Sequence, residues 1–208
     1  MTIRDILGFC LCLALPFMTS CDFMYDDRDA ETETVDSDGT FTNVNCTSYT
    51  AWTYIKLSTH TATTVEIENE DSIPSDWDFA IHRYTCKTNG GAVMETDYTS
   101  IDELLADGYY PEGDFVEDVW SDTTVYIDLS RMMEGILQYQ STYVNLEFSK
   151  WMHMVILPPP PSYSMSNKVY ILQLKDGTRA AIRFTDYISS SGVKAYNSFN
   201  YSYPLNLK

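Results

Sequence analysis

Two short segments of the chain concentrate side chains that can bind a metal through soft donors. Met132 and Met133 are adjacent, and Met152, His153 and Met154 follow further along the chain. Thioether sulfur suits haem iron or Cu(I), and imidazole is a common metal ligand. Two such segments could clamp a metal from opposite sides, although methionine is also a routine filler of uneven protein cores.

Motifs for other metal or catalytic chemistry are missing from the sequence. His60, His82, His153 and the cysteines show no CxxC or HxxxH spacing, so a zinc signature is excluded. There is no glycine-rich phosphate loop and no GxSxG elbow. One SxxK match, Ser191 to Lys194, lies in a predicted turn without companion motifs and is interpreted as chance. The sequence therefore predicts a protein that is not an enzyme.

The charge balance restricts the possible partners. Thirty acidic residues against thirteen basic ones give a formal net charge of −17. Nucleic acids and anionic lipid surfaces bind positively charged proteins, so neither is an expected partner.

The N-terminal residues 1–20 have the layout of a secretory signal peptide. Arg4 precedes the apolar run Ile6–Phe17, which is too short to span a bilayer. Small residues ending at Ser20 come just before Cys21, an arrangement that resembles the lipobox of bacterial lipoproteins. We expect excision of residues 1–20 and lipidation of Cys21, with an ordinary signal peptide and an incidental cysteine as the alternative.

The segment that follows separates the anchor from the folded part. Residues 21–40 are too acidic and too poor in apolar side chains to pack, so they are predicted to form a flexible tether. The folded domain is expected to span 41–208. Its two cysteines, Cys46 and Cys86, could form a disulfide in an oxidising compartment, or remain as buried thiols.

Alternation of apolar and polar residues predicts strands along much of this domain. The windows are Thr50–Leu57, Thr63–Glu68, Asp78–Thr85, Thr123–Leu129, Lys168–Leu174, Ala180–Thr185 and Ser198–Tyr203. Turn residues between the last three windows, above all Asp176-Gly177, predict an antiparallel meander in the final third of the chain.

Other segments break the alternation. Ser100 followed by Glu103 is typical of a capping box and predicts a short helix. Leu129–Gly135 fits either a single helical turn or an irregular loop. Pro158–Pro161 cannot donate to a strand ladder, so Trp151–Ser162 is predicted to be a loop or an edge. The fold class is therefore all-β, mostly antiparallel, with one or two short helices.

One run of motifs is more specific than these patterns. Trp77–Tyr84 has the sequence WDFAIHRY, and Lys87–Gly91 has the sequence KTNGG. Their order resembles the HmuY family of Bacteroidetes haem-binding lipoproteins. Further matches follow in order across most of residues 45–205, at Lys168–Tyr170, Asp176–Gly177, Ala180–Tyr187 and Tyr201–Pro204. His82 and Arg83 are predicted to lie on an alternating strand, where a structural role in hydrogen bonding is expected rather than iron ligation.

The resemblance implies an elongated, hand-like β fold that holds haem in a cleft between two axial side chains, both His in some members and both Met in others. Members are similar to haemophores that take haem from host proteins or the environment and pass it to a TonB-dependent receptor. It also implies an outer-membrane, cell-surface lipoprotein, because an acidic run after the lipidated cysteine resembles the surface-export signal of Bacteroidetes. The first ligand position maps to Met132 or Met133.

The second ligand position is less well defined. In the family it lies just before the proline-containing segment, but here Leu157 precedes Pro158 and cannot bind iron. Met154 is the expected ligand, with His153 as its rival, and alternation places Met152 and Met154 on one face. The alternative function is a non-haem adhesin or glycan-capture lipoprotein on the same scaffold.

Overall fold

The computed structural model describes the following residues: 34–36, 39–155 and 160–208. The predicted signal peptide, Cys21, Leu157 and Pro158 therefore lie outside the described residues. The boundaries proposed for the signal peptide, tether and domain stay predictions, but the strand Thr34–Asp36 and the first residue of the strand Thr40–Asn45 fall within the predicted tether 21–40, so its last residues belong to the fold.

Strands dominate the described part of the chain. In chain order they are β1 Thr34–Asp36, β2 Thr40–Asn45, β3 Ala51–Lys56, β4 Thr61–Glu66, β5 Phe79–His82, β6 Thr85–Thr88, β7 Ala92–Glu95, β8 Val116–Glu117, β9 Val119–Asp128, β10 Gln138–Val144, β11 Met152–Val155, β12 Ser162–Met165, β13 Tyr170–Gln173, β14 Arg179–Ile188 and β15 Lys194–Ser202. The helices are α1 Ile101–Asp107 and α2 Leu146–Ser149, with short 3-10 turns at Glu70–Ser72 and Met132–Glu134.

These strands form two larger sheets and two hairpins. One sheet has the order β1-β2-β15-β14-β13-β7-β8, and the other has the order β4-β3-β5-β6. β9 pairs with β10, and β11 pairs with β12. The strand pairs are antiparallel, and the neighbours β13, β14 and β15 form the predicted meander. The predicted all-β class with short helices is confirmed.

Aromatic side chains fill the core shared by the two larger sheets. Phe79 on β5 lies 5.6 Å from Phe199 on β15 and 5.3 Å from Phe148 on α2, measured between ring centroids. These rings are fully buried. Tilted and edge-to-face contacts at such distances stabilise a core beyond simple area burial. The strand β3 is buried on both faces, because Trp52 and Tyr54 pack into a second cluster on its other side.

The predicted strand Asp78–Thr85 is too long, because only Phe79–His82 forms a strand and the chain then turns. Arg83 and Tyr84 form a tight turn between β5 and β6, and Arg83 has φ 54°. The left-handed region is rare for a long side chain. Here the Arg83 guanidinium donates to the carbonyl of Thr47 and lies 4.1 Å from the ring centre of Tyr49, which compensates for the strain.

Three other expectations are settled by the structure. α1 follows Ser100 as predicted, but the Ser100 side chain makes no capping hydrogen bond, so the capping-box detail is wrong. Buried Leu104 instead anchors this helix in the core.

Of the alternatives for Leu129–Gly135, the helical turn is correct. Cys46 and Cys86 are buried thiols rather than a disulfide, and burial raises the pKa of the Cys86 thiol.

The segment Trp151–Ser162 was predicted to be a loop or an edge, and it contains β11 and the first residue of β12, which form a two-stranded sheet in which each strand is an edge. β11 and β12 pair with Met152 opposite Met165 and Met154 opposite Tyr163. The prolines thus follow β11 without preventing the hairpin. No helix in the described part of the chain is long and apolar enough to cross a membrane.

A short segment joins the two hairpins, and hydrogen bonds attach it to Tyr84 in the turn between β5 and β6 and to Cys86 on β6. The backbone N–H of Asn145 donates to the Cys86 carbonyl at 2.8 Å. The hydroxyl of Ser149 accepts from the Cys86 N–H at 2.9 Å, and the indole of Trp151 donates to the Tyr84 carbonyl at 2.9 Å. The segment 145–151 therefore fixes where both hairpins begin.

Asn145 is the most connected residue of this segment. Its side chain is fully buried, accepts from the N–H of Phe148, and donates to the carbonyl of Val116 and to the carboxylate of Asp118. Each of these groups would lose a partner if the amide were removed. Buried polar groups without partners cost about 1–3 kcal/mol each.

We therefore expect Asn145→Ala to lower the free energy of unfolding by about 3 kcal/mol or more. Urea unfolding followed by circular dichroism measures this change. The matched control is Asn206→Ala, because Asn206 is exposed near the C-terminus. If the two variants lose the same small amount of stability, the role given to the Asn145 amide is wrong.

Candidate functional site

One face of the β11–β12 hairpin gathers sulfur and aromatic side chains. Met152 and Met154 alternate with the exposed His153 on β11, and Tyr163 and Met165 lie opposite them on β12. We call these four residues the methionine–tyrosine face. Met152 is buried in the main core, whereas Met154, Tyr163 and Met165 are half-buried and pack against its edge. The prediction that Met152 and Met154 share a face is confirmed.

Tyrosine rings extend this face towards the turn between β5 and β6. Tyr163 lies 5.5 Å from Tyr84 and 5.9 Å from Tyr187, measured between ring centroids. Tyr84 in turn lies 6.0 Å from Tyr187. The Tyr84 hydroxyl is buried and has no hydrogen-bond partner within the described residues. Burial raises the pKa of Tyr84 and of Tyr163, so both rings remain neutral at neutral pH.

Two cations lie over these rings. The Nζ of Lys194 is 4.3 Å from the ring centre of Tyr163, and the guanidinium carbon of Arg83 is 5.8 Å from that of Tyr84. In a chain with net charge −17, these two cations give the face a local positive charge. Such a face can contact an apolar ring system and also attract carboxylates at its edge.

The other predicted donors lie at the tip of the β9–β10 hairpin. Met132 and Met133 belong to the 3-10 turn Met132–Glu134, which ends at Gly135 with φ 78°. We call this segment the methionine turn. Met133 is 75% exposed, and Met132 is half-buried. An exposed thioether on a hairpin tip is available to a ligand, and no core contact is lost when it binds one.

The structure therefore distinguishes the predicted donors by their accessibility. Met133 is exposed and Met154 is half-buried, whereas Met152 is committed to the core. His153 is exposed but points away from the face that carries Met154. The two groups lie on different two-stranded sheets. Two cavities, of about 480 and 460 Å³, are lined by other residues and contain no methionine.

The described residues also contain no cluster of the side chains that usually bind metal ions without haem. Within residues 39–155 and 160–208, no three His, Cys, Asp or Glu side chains are placed to share a metal ion. Thioether sulfur is not among these side chains, and it can bind haem iron as an axial ligand.

Residues 48–201 match the family model for the HmuY protein. The chain belongs to the HmuY family. The resemblance found in the sequence is thereby confirmed over most of the folded domain.

Solved structures of HmuY relatives share the fold. A Bacteroides vulgatus protein proposed to be HmuY-like and haem-binding is 42% identical, with TM-score 0.76, covering 85% of this chain and 98% of its own. A proposed lipoprotein of Bacteroides fragilis is 41% identical, with TM-score 0.75 and coverage of 84% and 94%. The apo HmuY analogue of Tannerella forsythia is 25% identical, with TM-score 0.65 and coverage of 81% and 97%. No curated protein matches the chain.

Some residues of the HmuY domain were missed by the sequence patterns. Tyr163 and Met165 alternate just as Met152 and Met154 do, and this spacing after the prolines could have indicated a second strand. The sequence around Lys194 shows only a chance SxxK match and does not indicate a contact with Tyr163. The position of Lys194 over Tyr163 depends on pairing between segments distant in the chain, for which no local signal exists.

His82 has the structural role that was expected from its strand position. One ring nitrogen lies 2.9 Å from the carbonyl of Tyr49, so that nitrogen carries the proton and donates. Burial, together with the positive charges of Arg83 and Lys87, lowers the pKa of His82 from 6.5 to about 4. The neutral ring is therefore part of the folded state.

A pH dependence of stability follows from this lowered pKa. Below pH 6.5 His82 is protonated in the unfolded chain, whereas in the folded chain it stays neutral down to about pH 4. The free energy of unfolding therefore falls as the pH falls through this window. The free energy of unfolding is lowered by about 3 kcal/mol in full, because each unit of pKa difference corresponds to about 1.4 kcal/mol. Unfolding in urea at pH 7, 6, 5 and 4.5 measures the slope, and His82→Gln is expected to flatten it. An unchanged slope in His82→Gln would assign the effect to other groups.

Proposed function

We propose that this protein is a haem-binding surface lipoprotein of the haemophore type, with methionine as the axial ligand on at least one side. The observation that carries the proposal is the methionine–tyrosine face, where half-buried Met154 lies beside neutral tyrosine rings and two cations. Family membership and the haem-binding assignment of a 42% identical relative support it.

The chemistry of these donors suits an iron porphyrin. Met133 is exposed on the methionine turn, and Met154 presents a second thioether on the other hairpin. Thioether sulfur favours reduced iron more than imidazole does, so binding should be strongest for ferrous haem. Tyrosine and methionine side chains would cover the faces of the macrocycle and keep water from it.

The cations give the site a means of orienting the ligand. Haem carries two propionate groups, and Lys194 and Arg83 lie over the rings of Tyr163 and Tyr84. Charge-assisted hydrogen bonds to carboxylates are stronger than neutral ones. Placing both cations on one side would fix which edge of the porphyrin faces the β5–β6 turn.

Location and partners complete the proposal. Lipidation at Cys21, which lies outside the described residues, would anchor the protein to the outer membrane, and the acidic residues between Cys21 and β1 would act as the tether. A flexible tether lets the domain reach host haemoproteins or free haem and then a TonB-dependent receptor. No catalytic step is needed for this transfer.

Ligation is tested by titrating the full chain with haemin, with and without dithionite, and following the Soret band. We expect a six-coordinate spectrum that is strongest under reducing conditions. Met133→Leu and Met154→Leu keep the side-chain volume and remove the sulfur. Each is expected to weaken binding by more than about tenfold, because an axial bond contributes more than about 1.4 kcal/mol.

The matched control is Ile136→Ala, which removes a 40% exposed apolar side chain beside the methionine turn without removing a donor. It should bind haemin as the parent does. Met132→Leu and His153→Ala separate the rival donors in the same assay. Parent-like spectra for both Met133→Leu and Met154→Leu would rule out the proposed ligand pair.

Propionate recognition gives a separate prediction. Lys194→Gln removes one cation from an exposed position and should weaken haemin binding several-fold, since an exposed ion pair is worth about 1 kcal/mol or less. Binding of haemin dimethyl ester should not change, because that ligand lacks the carboxylates. Calorimetry at low and high salt measures both effects.

Lys175→Gln is the control, because Lys175 is an exposed lysine in the turn between β13 and β14. Equal losses for haemin and its dimethyl ester in Lys194→Gln would show that Lys194 acts by packing on Tyr163 rather than by charge.

A further inference from the structure

The KTNGG turn builds a cavity that the haem proposal does not use. Lys87, Thr88, Gly90 and Gly91 line one side of the cavity of about 480 Å³, a volume typical of small-molecule sites. Gly91 is required there, because a Cβ would lie 2.3 Å from the carbonyl of Gln173. The turn is thus pressed against β13 and leaves its polar side open to the cavity.

Lys87 has unused hydrogen-bonding capacity at this cavity. Its ammonium lies 4.1 Å from the ring centre of Trp52 and within 3.3 Å of the Tyr54 hydroxyl. An ammonium has three N–H donors, and the described residues provide this one acceptor. Burial lowers the pKa of Lys87 to about 8, so the group remains mostly charged at neutral pH.

Asp118 provides a fixed acceptor on the same cavity. One carboxylate oxygen accepts from the Thr88 N–H, and the other accepts from the Thr88 hydroxyl and the Asn145 amide. A carboxylate has about four lone-pair positions, so about one is left for a ligand. Burial raises the pKa of Asp118. The exposed carboxylate of Glu117 adds a second acceptor at the rim.

Aromatic rings form the remaining wall and continue beyond it. Trp77 and Tyr143 line the cavity, and the Asn89 amide holds the Trp77 carbonyl at 2.9 Å. Tyr143 is in edge contact with Trp120 at 5.2 Å, and each of these two rings is 57% exposed. Large exposed aromatic rings beside a polar cavity are typical of binding surfaces.

We propose that this cavity binds a neutral saccharide of one or two sugar rings, with the apolar faces of the sugar on Tyr143 and Trp77 and its hydroxyls on Lys87, Asp118 and Glu117. Sugar hydroxyls both donate and accept, which matches a site that offers free donors and free acceptors together. The strip from Tyr143 to Trp120 gives a second ring a place to stack.

Because the cavity carries charges of both signs, a charged sugar would meet a group of its own sign there. An anionic sugar would face Glu117, Asp118 and a chain of net charge −17, and a cationic amino sugar would share the cavity with the Lys87 ammonium as well as with the carboxylates. A neutral sugar avoids both like-charge contacts. The cavity lies at the base of the β9–β10 hairpin, at the opposite end of the strands from the methionine turn. Saccharide binding is therefore separate from haem binding and can succeed or fail independently.

The test titrates the full chain by calorimetry and by tryptophan fluorescence. The probes are the neutral methyl glycosides of glucose, galactose and mannose, their α- and β-linked disaccharides, and glucuronic acid and glucosamine as charged comparisons. We expect saturable binding of at least one neutral probe with a change in tryptophan emission. Tyr143→Ala should weaken it by up to about tenfold, the factor that one aromatic contact supplies.

Glu117→Gln should also weaken binding, while Tyr109→Ala should not, because Tyr109 is an equally exposed tyrosine (58%) outside the cavity. Thermal unfolding and the haemin titration show whether each variant keeps its fold. The proposal is overturned by binding of the charged probes alone, by the absence of binding across the panel, or by parent-like affinity in a folded Tyr143→Ala.

Discussion

Hydrogen bonds to the backbone of Tyr84 and Cys86 hold the functional parts of this molecule together. Asn145, Ser149 and Trp151 make these bonds from a single short segment. One hairpin enters this segment and the other leaves it. Since a two-stranded hairpin is marginal in water by itself, the anchored segment is what gives both hairpins a defined starting point on the packed sheets.

The stretch from Arg83 to Thr88 supplies residues to both proposed sites. At its start, Arg83 and Tyr84 contact the tyrosine rings beside the methionine–tyrosine face. At the end of β6, Lys87 and Thr88 line the cavity behind the KTNGG turn. A stretch of six residues therefore connects a soft, apolar site with a polar one. The strain at Arg83 fits this placement, because strained backbone is typical of functional regions.

The two sites also use charge differently. Lys194 and Arg83 lie over tyrosine rings, where a carboxylate ligand could reach them. Lys87 is surrounded by Trp52, Tyr54 and Trp77 and has acidic neighbours on the cavity wall. In an acidic protein the placement of a few cations determines which ligands are attracted and where. The proposed role of Met133 as a ligand, by contrast, rests on its exposure.

Local patterns in the sequence were sufficient for β3, β4, β5, β9, β13, β14 and β15, for the turn at Asp176-Gly177, and for the shared face of Met152 and Met154, because alternation reports which residues are buried. They did not predict β2, β7, β10 or β12. Alternation does not report the partner of a buried residue. It continued through Arg83 and Tyr84, since Tyr84 is buried in the turn as it would be in a strand. Placing Lys194 over Tyr163, and Asp118 against Thr88, required contacts between residues about thirty positions apart. Those contacts depend on how the sheets pack, and only the tertiary structure decides that packing.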